Sequence, residues 1–412
     1  MIKPLQRSKK DLLAVGAITA GCAIAVGAVF VNAPVRHSEL TPAASAFTPV
    51  ANMPAAPQQV SETFRVPLSD ELHLSRPLII DGLLVTGTGG KVEALNPADG
   101  TTVWRYERDK ELCSLGVGFN TVVATYRTSA GCGDVTQIDA KTGTYRATRS
   151  ATAPDVVLPI SSNDRVGTVS AERVELWRSD LVRTVEYGDK DAKQEPELQP
   201  HEECRISSAL TRKELLAVVE SCPDQPNNSM LRLQATTPED SRKPKIKADV
   251  AIPGTDAQVI AIGQTAASVY VPGPTPRLIA YNESGKEISR NDVQPSPLID
   301  AASAKPGQAF APQTADLPHH MTWFDGQRLY LLNPATLAAE VIFDGALGTG
   351  VAIGNRIVFP VADGLAIGNW ETGSIDRTIP VDRGNYQGPV SLALAGNSLV
   401  EKRGDQLVSL AG

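Results

Sequence analysis

From Leu72 to the end of the chain one short unit recurs: an apolar strand, an Asn, Asp or Gly turn, and a second strand ending in an aromatic or β-branched residue. Its clearest copy is Lys91-Val-Glu-Ala-Leu-Asn-Pro-Ala-Asp-Gly-Thr-Thr-Val-Trp104, followed by Val135-Thr-Gln-Ile-Asp-Ala-Lys-Thr-Gly-Thr-Tyr145. Weaker copies run over Val174 to Val185, Leu231 to Ile246, Leu278 to Ser289, Leu329 to Val341 and Leu365 to Ile379. The interval is irregular but centres on about forty residues, the period of propeller blades. Each unit is the outer half of a four-stranded blade, and an apolar hairpin just upstream supplies the inner half. In the first blade that hairpin is Pro77 to Asp81 and Leu83 to Thr88.

Seven units are visible and an eighth is incomplete. After Val390 the chain offers Ser391 to Leu394, Ser398 to Val400 and Gln406 to Leu410, then ends. The alternating segment Val60 to Leu68 is the expected fourth strand, pairing Thr63 to Val66 with Leu407 to Leu410 and removing an open sheet edge. The expected fold is therefore all-β: a single propeller of eight four-stranded blades. Seven blades result if Val174 to Val185 merges with its neighbour.

The stretch Val92 to Trp104 resembles the PQQ-like repeat of the quinoprotein alcohol dehydrogenase-like propellers, and Gln137-Ile-Asp-Ala-Lys-Thr-Gly143 is similar, with Tyr145 where the first has Trp. The resemblance implies a propeller over residues 60–412 and a blade-docking role for Trp104. Trp177 and Trp370 precede their turns, so that role does not extend to them. It also implies two classes of function. The dehydrogenases bind a quinone cofactor; other envelope propellers with this repeat are cofactor-free scaffolds. Here no two cysteines are adjacent, as they are near the cofactor in the dehydrogenases, and no Cys-x-x-Cys-His haem motif occurs. The expectation is a non-enzymatic member without cofactor or metal, a quinoprotein-like enzyme or a cell-wall ligand sensor being the alternative.

The N-terminus supplies the address. Lys3, Arg7, Lys9 and Lys10 lie in a basic segment, 1–11, before an uncharged apolar run, 12–31, of bilayer-spanning length. The positive flank stays in the cytoplasm, which puts everything after the span outside. Three fates fit this segment: an uncleaved anchor, cleavage after Ala33, or lipidation at Cys22 within Thr19-Ala20-Gly21-Cys22. The length of the run favours the anchor. Residues 32–59, with Pro34, Pro42, Pro49, Pro54 and Pro57, read as a linker reaching on the order of 80 Å at polyproline pitch.

Four cysteines, Cys113, Cys132, Cys204 and Cys222, lie in the exported part. Four allow three pairings, or four free thiols. The blade framework selects Cys113 with Cys132 and Cys204 with Cys222, because the start of one antiparallel strand lies beside the end of the next. Each bridge closes a loop worth roughly 3 kcal/mol.

Other candidates are weaker. His319 and His320 are adjacent, and neighbours on a strand point to opposite faces, which makes a poor chelate. Ala304 to Leu317 before them reads as an exposed loop. Asp134, Asp139 and Asp292 fit turns and strand ends. Asn227 and Asn282 begin short glycosylation-like triplets. No Walker loop, Gly-x-Ser-x-Gly elbow or His-Glu-x-x-His occurs. A net charge of −7 with no basic stripe excludes a nucleic-acid footprint. An acidic stretch, Asp189 to Glu203, and a basic one, Pro238 to Lys247, connect strands and are candidates for binding envelope or membrane proteins through propeller loops.

Overall fold

The computed structural model describes residues 8–190, 193, 195–305 and 307–412. Lys3 and Arg7 of the basic start lie outside the described residues, as do residues 191, 192 and 194 of the acidic stretch. Among the described residues eight antiparallel sheets form a ring of eight blades. Blade 1 holds Leu78–Ile80, Leu83–Thr88, Lys91–Leu95 and Thr102–Arg108; blade 2 runs from Leu112–Gly118 to Tyr145–Ser150. Arg173–Trp177 and Arg183–Gly188 are strands of a separate blade 3, so the seven-blade alternative does not apply.

Inner strands are buried on both sides and read as continuous apolar runs, as in Gln258–Ile262. Outer strands alternate, as in Tyr145–Ser150 and Glu287–Asp292, because one side faces solvent. The recurring Asn/Asp-x-x-x-Gly has a local cause. The side-chain oxygen of Asn96 accepts from the Ala98 N–H, that of Asp139 from Lys141 and Thr142, and that of Asn369 from Glu371 and Thr372. Four residues on, Gly100, Gly143 and Gly373 adopt φ of 75°, 66° and 70°, where a Cβ would be strained. Each donates its N–H back to the Asn or Asp carbonyl.

The ring closes between the two ends of the propeller. Ser61–Pro67 pairs antiparallel with Gln406–Ala411, with Glu62 opposite Leu410 and Val66 opposite Leu407. A bulge at Thr63 adjusts the register. Blade 8 is thus three C-terminal strands and one N-terminal strand.

The extended reach expected of residues 32–59 is corrected. Ser38–Thr41 adds a fifth strand to blade 1, Ser38 opposite Arg108 and Thr41 opposite Arg105. The chain then crosses the propeller. The N–H groups of Ala43 and Phe47 donate to Thr142 and Lys141 carbonyls, Met53 to Gly396, and Arg377 binds the Pro57 carbonyl at 2.7 Å. Leu40 and Phe47 pack on the core of blades 1 and 2, Met53 and Val60 on that of blades 7 and 8. The prolines keep the segment extended; the apolar residues between them bind it to the ring. Only residues 32–37 separate this strap from the helix Lys9–Val31.

That helix has 23 residues, starts at a capping box between Ser8 and Asp11, and buries none of its side chains. At 1.5 Å per residue it is about 35 Å long, enough to cross a bilayer. It is the one described helix of that length and apolarity.

Candidate functional site

In each blade the four strands alternate in direction. Blade-to-blade connections and turns between second and third strands therefore share one face, the connection face. The other two sets of turns share the opposite face, which the strap crosses at Gly82, Gly354 and Gly396. The connection face carries the long segments: 68–77, 151–157, 189–204 and 293–313. Both disulfides lie there. Cys113 is bonded to Cys132 with Cα atoms 6.0 Å apart, and Cys204 to Cys222 at 4.3 Å. These are the pairings expected from the hairpins.

Behind the second disulfide is a buried polar cluster. Glu220 accepts from Arg232 Nε at 2.8 Å and from the Tyr187 hydroxyl of blade 3, also at 2.8 Å. Burial pushes the Glu220 pKa up, while the Arg232 and Tyr187 hydrogen bonds pull it back. His201, Cys204 and Glu220 bring ligand-type atoms within 4.8 Å of one another. The Cys204 sulfur is spent in the disulfide, so the cluster offers two ligands where a structural metal takes four.

The two charged stretches meet each other. Arg242 reaches Glu195 at 3.2 Å and Asp240 at 2.9 Å, and the Gln199 amide donates to the carbonyls of Glu186 and Arg242. The Arg242 hydrogen bond holds Asp240 down to about 2. They form one ridge at the junction of blades 3 and 4. His319 and His320 lie in a turn of blade 6 against Trp370, with ring centroids 5.3 and 6.4 Å away, and His320 Nε2 is 3.2 Å from Glu340.

The segment Ala304 to Leu317 is an exposed loop only at its start, where Ala304, Lys305, Gly307 and Gln308 are exposed; from Ala309 on, apart from Asp316, it is buried or half-buried. After the short helix Pro297–Ser303, capped by Ser296, the chain turns into the central channel. There the Phe310 N–H donates to the Ser207 carbonyl at 2.6 Å, and Phe310 bridges in parallel to Ser208 of the blade 4 inner strand. Thr314–Asp316 then forms the inner strand of blade 6. Cavities of about 370 and 160 Å³ lie on either side of Phe310. The eight inner strands contribute one carboxylate, Asp316, and Arg212 holds it at 2.6 Å. A calcium-held quinone needs several oxygen ligands; this wall does not fit one.

Trp104 lies between blades 1 and 2. It is 1 % exposed, and its indole N–H donates to the Ala140 carbonyl at 2.7 Å. Its Cβ would be 2.4 Å from a Cβ at Gly143. Phe64 of blade 8 meets Gly100 of blade 1 as tightly, at 2.8 Å from a Cβ there, whereas Val341 of blade 6 lies at an ordinary 3.4 Å from a Cβ at Gly373 of blade 7.

A PQQ-repeat family model, described as outer membrane protein assembly factor BamB, matches residues 56–187. Blades 1 to 3, which these residues span, are built from PQQ-like repeats. No functionally curated protein matches the sequence. Among solved structures, the propeller is similar to quinohemoprotein alcohol dehydrogenase ADHIIG from Pseudomonas putida HK5: TM-score 0.51, 14 % identity, 86 % of this chain and 76 % of that one. The computationally designed Ika8 protein gives TM-score 0.52 at 13 % identity, over 89 % of this chain and 99 % of that one. BamB from Moraxella catarrhalis gives 0.49 at 14 % identity, over 86 % and 100 %. At such identities the two scores above 0.5 speak for the fold alone.

Sequence reasoning missed Phe310, the strap and the channel charges. A lone Phe in a Pro/Gln/Ala-rich segment, and Leu40, Phe47 and Met53 among the prolines, are the signals that pointed to burial.

Proposed function

We propose that this chain is a membrane-anchored, extracytoplasmic scaffold that binds protein subunits of a cytoplasmic-membrane complex and catalyses no reaction itself. One observation carries the proposal: the long connections and both disulfides share one face, while the strap crosses the other. Disulfide-braced loops on a rigid ring suit recognition. The family match to an outer membrane protein assembly factor supports a partner-binding role.

The tether supports a membrane-proximal partner. Residues 32–37 span at most about 20 Å when extended, and they end at the rim of the connection face, where the Asp109 N–H donates to the His37 carbonyl. Loops on that rim lie within reach of the extracytoplasmic parts of neighbouring membrane proteins. Purification from mild detergent tests the function: membrane proteins should co-purify in stoichiometric amount. Isolation of the bare chain, with stoichiometric uptake of a redox cofactor and dye reduction, overturns the proposal in favour of an enzyme.

A further inference from the structure

The channel holds an uncompensated cation. Arg76 enters it just before the inner strand of blade 1 and lines the 160 Å³ cavity below Phe310. Its guanidinium keeps contact with water in the channel, yet protein surrounds it; this enclosure pushes its pKa down, and the charge of Asp316 offsets only part of that. Among the described residues Arg76 makes no hydrogen bond and no ion pair. Asp316 is already taken by Arg212. Lys305 adds a further cation at the cavity above Phe310. His73, lining both cavities, is held towards its neutral form by burial, against the pull of Asp70 and Glu71. Arg76, Arg212 and Lys305 therefore stand against Asp316, while Lys402 and the carboxylates of Asp70 and Glu71 act on His73 beside them.

The cavity suits a specific class of anion. Leu78, Leu115 and Leu210 give it apolar walls, and Ser75, Ser161 and Thr314 add hydroxyls. Apolar walls lower the local dielectric and strengthen charge pairing. A guanidinium matches a carboxylate with two parallel hydrogen bonds. We propose that the channel binds a small carboxylate on Arg76, with the Phe310 segment as its roof. The volume admits a carboxylate with a short carbon chain, either a free acid or the C-terminus of a peptide entering from the connection face. The proposal stands apart from the scaffold function, since a free acid binds without any protein partner.

Calorimetric titration of the detergent-solubilised full chain tests it, with sodium succinate, trialanine as free acid and as C-terminal amide, and sodium chloride for ionic strength. Saturable binding of succinate or of the free-acid peptide is expected, and the amide should not bind. Succinate alone binding identifies a free acid as the source; tighter binding of the free-acid peptide identifies a chain terminus. Arg76→Gln should weaken binding by about 10-fold, as expected for removing a charge-assisted hydrogen-bonded pair. Arg76→Lys should keep part of it. Asp316→Asn releases Arg212 and removes the competing carboxylate, so binding should tighten; this variant decides the matter if Arg76→Gln does not fold. Unchanged affinity in Arg76→Gln or in Asp316→Asn, or no saturable binding of any carboxylate, overturns the proposal.

Discussion

Replacing Gly143 by Ala tests how the blades are held to one another. Gly143 sits at φ 66°, and a Cβ there would lie 2.4 Å from the Trp104 Cβ and 2.5 Å from its Cγ. Two costs follow. The left-handed backbone costs a non-glycine residue about 1 kcal/mol, and forcing a methyl into a filled site costs about 1–3 kcal/mol more. Gly373 is the internal control. It has the same place in the turn of blade 7 and a φ of 70°, but its Cβ would be 3.4 Å from Val341, an ordinary contact. Gly373→Ala should cost the backbone term alone. Trp104→Ala should cost about 3–5 kcal/mol through the lost packing, with the Ala140 carbonyl left unpaired. Trp104→Ala removes the Cγ contact but keeps the Cβ at 2.4 Å, so in that background the Gly143→Ala penalty should fall only part of the way to that of Gly373→Ala, a coupling of about 0.5–1 kcal/mol. Urea unfolding of the detergent-solubilised variants, followed by circular dichroism, measures all four. Equal penalties for Gly143→Ala and Gly373→Ala in the wild-type background would refute the docking role of Trp104.

Truncation separates strap from closure. Deleting residues 1–37 should leave melting unchanged, deleting 1–59 should lower it by removing the strap, and deleting 1–67 should lower it most by opening blade 8; equal melting for the last two contradicts the closure. Acidification should destabilise the fold. Burial lowers the pKa of His201 and His73 below the unfolded value. The unfolded chain therefore binds protons first, and stability present above the unfolded pKa, about 6.5, is lost as pH falls through it. His201→Gln should flatten the melting profile between pH 7.5 and 5.5, and an unchanged slope contradicts this. A periplasmic-type reporter fused after Gly412 should be active only outside the cytoplasm; activity inside would invert the orientation and remove the setting in which the disulfides form.

The ring was legible because its information is local and repeated. Asn96 to Trp104 specifies a turn and a docking residue within nine positions, and Val60 to Leu68 alternates as an edge strand must. The disulfides followed from the same hairpin geometry. The strap was not legible, since prolines extend a chain equally well in solvent or on a surface; Phe47 and Met53 distinguish the two only once Gly82 and Gly396 are seen beneath them. The channel was not legible either. Arg76, Arg212 and the segment that carries Phe310 and Asp316 come from three separate parts of the ring and meet only when it closes. The acidic and basic stretches were recognised singly, but their contact through Gln199 and Arg242 depends on how blade 4 packs on blade 3.

The central claim, that the connection face meets membrane-protein partners, is tested most directly by site-specific photo-crosslinking in intact cells. Asp155 and Asp224 are exposed on that face, and Asn163 is exposed on a turn of the opposite one. A photo-reactive residue at Asp155 or Asp224 should give discrete crosslinks to membrane proteins, and one at Asn163 should give none. Crosslinks from Asn163 alone would contradict the claim.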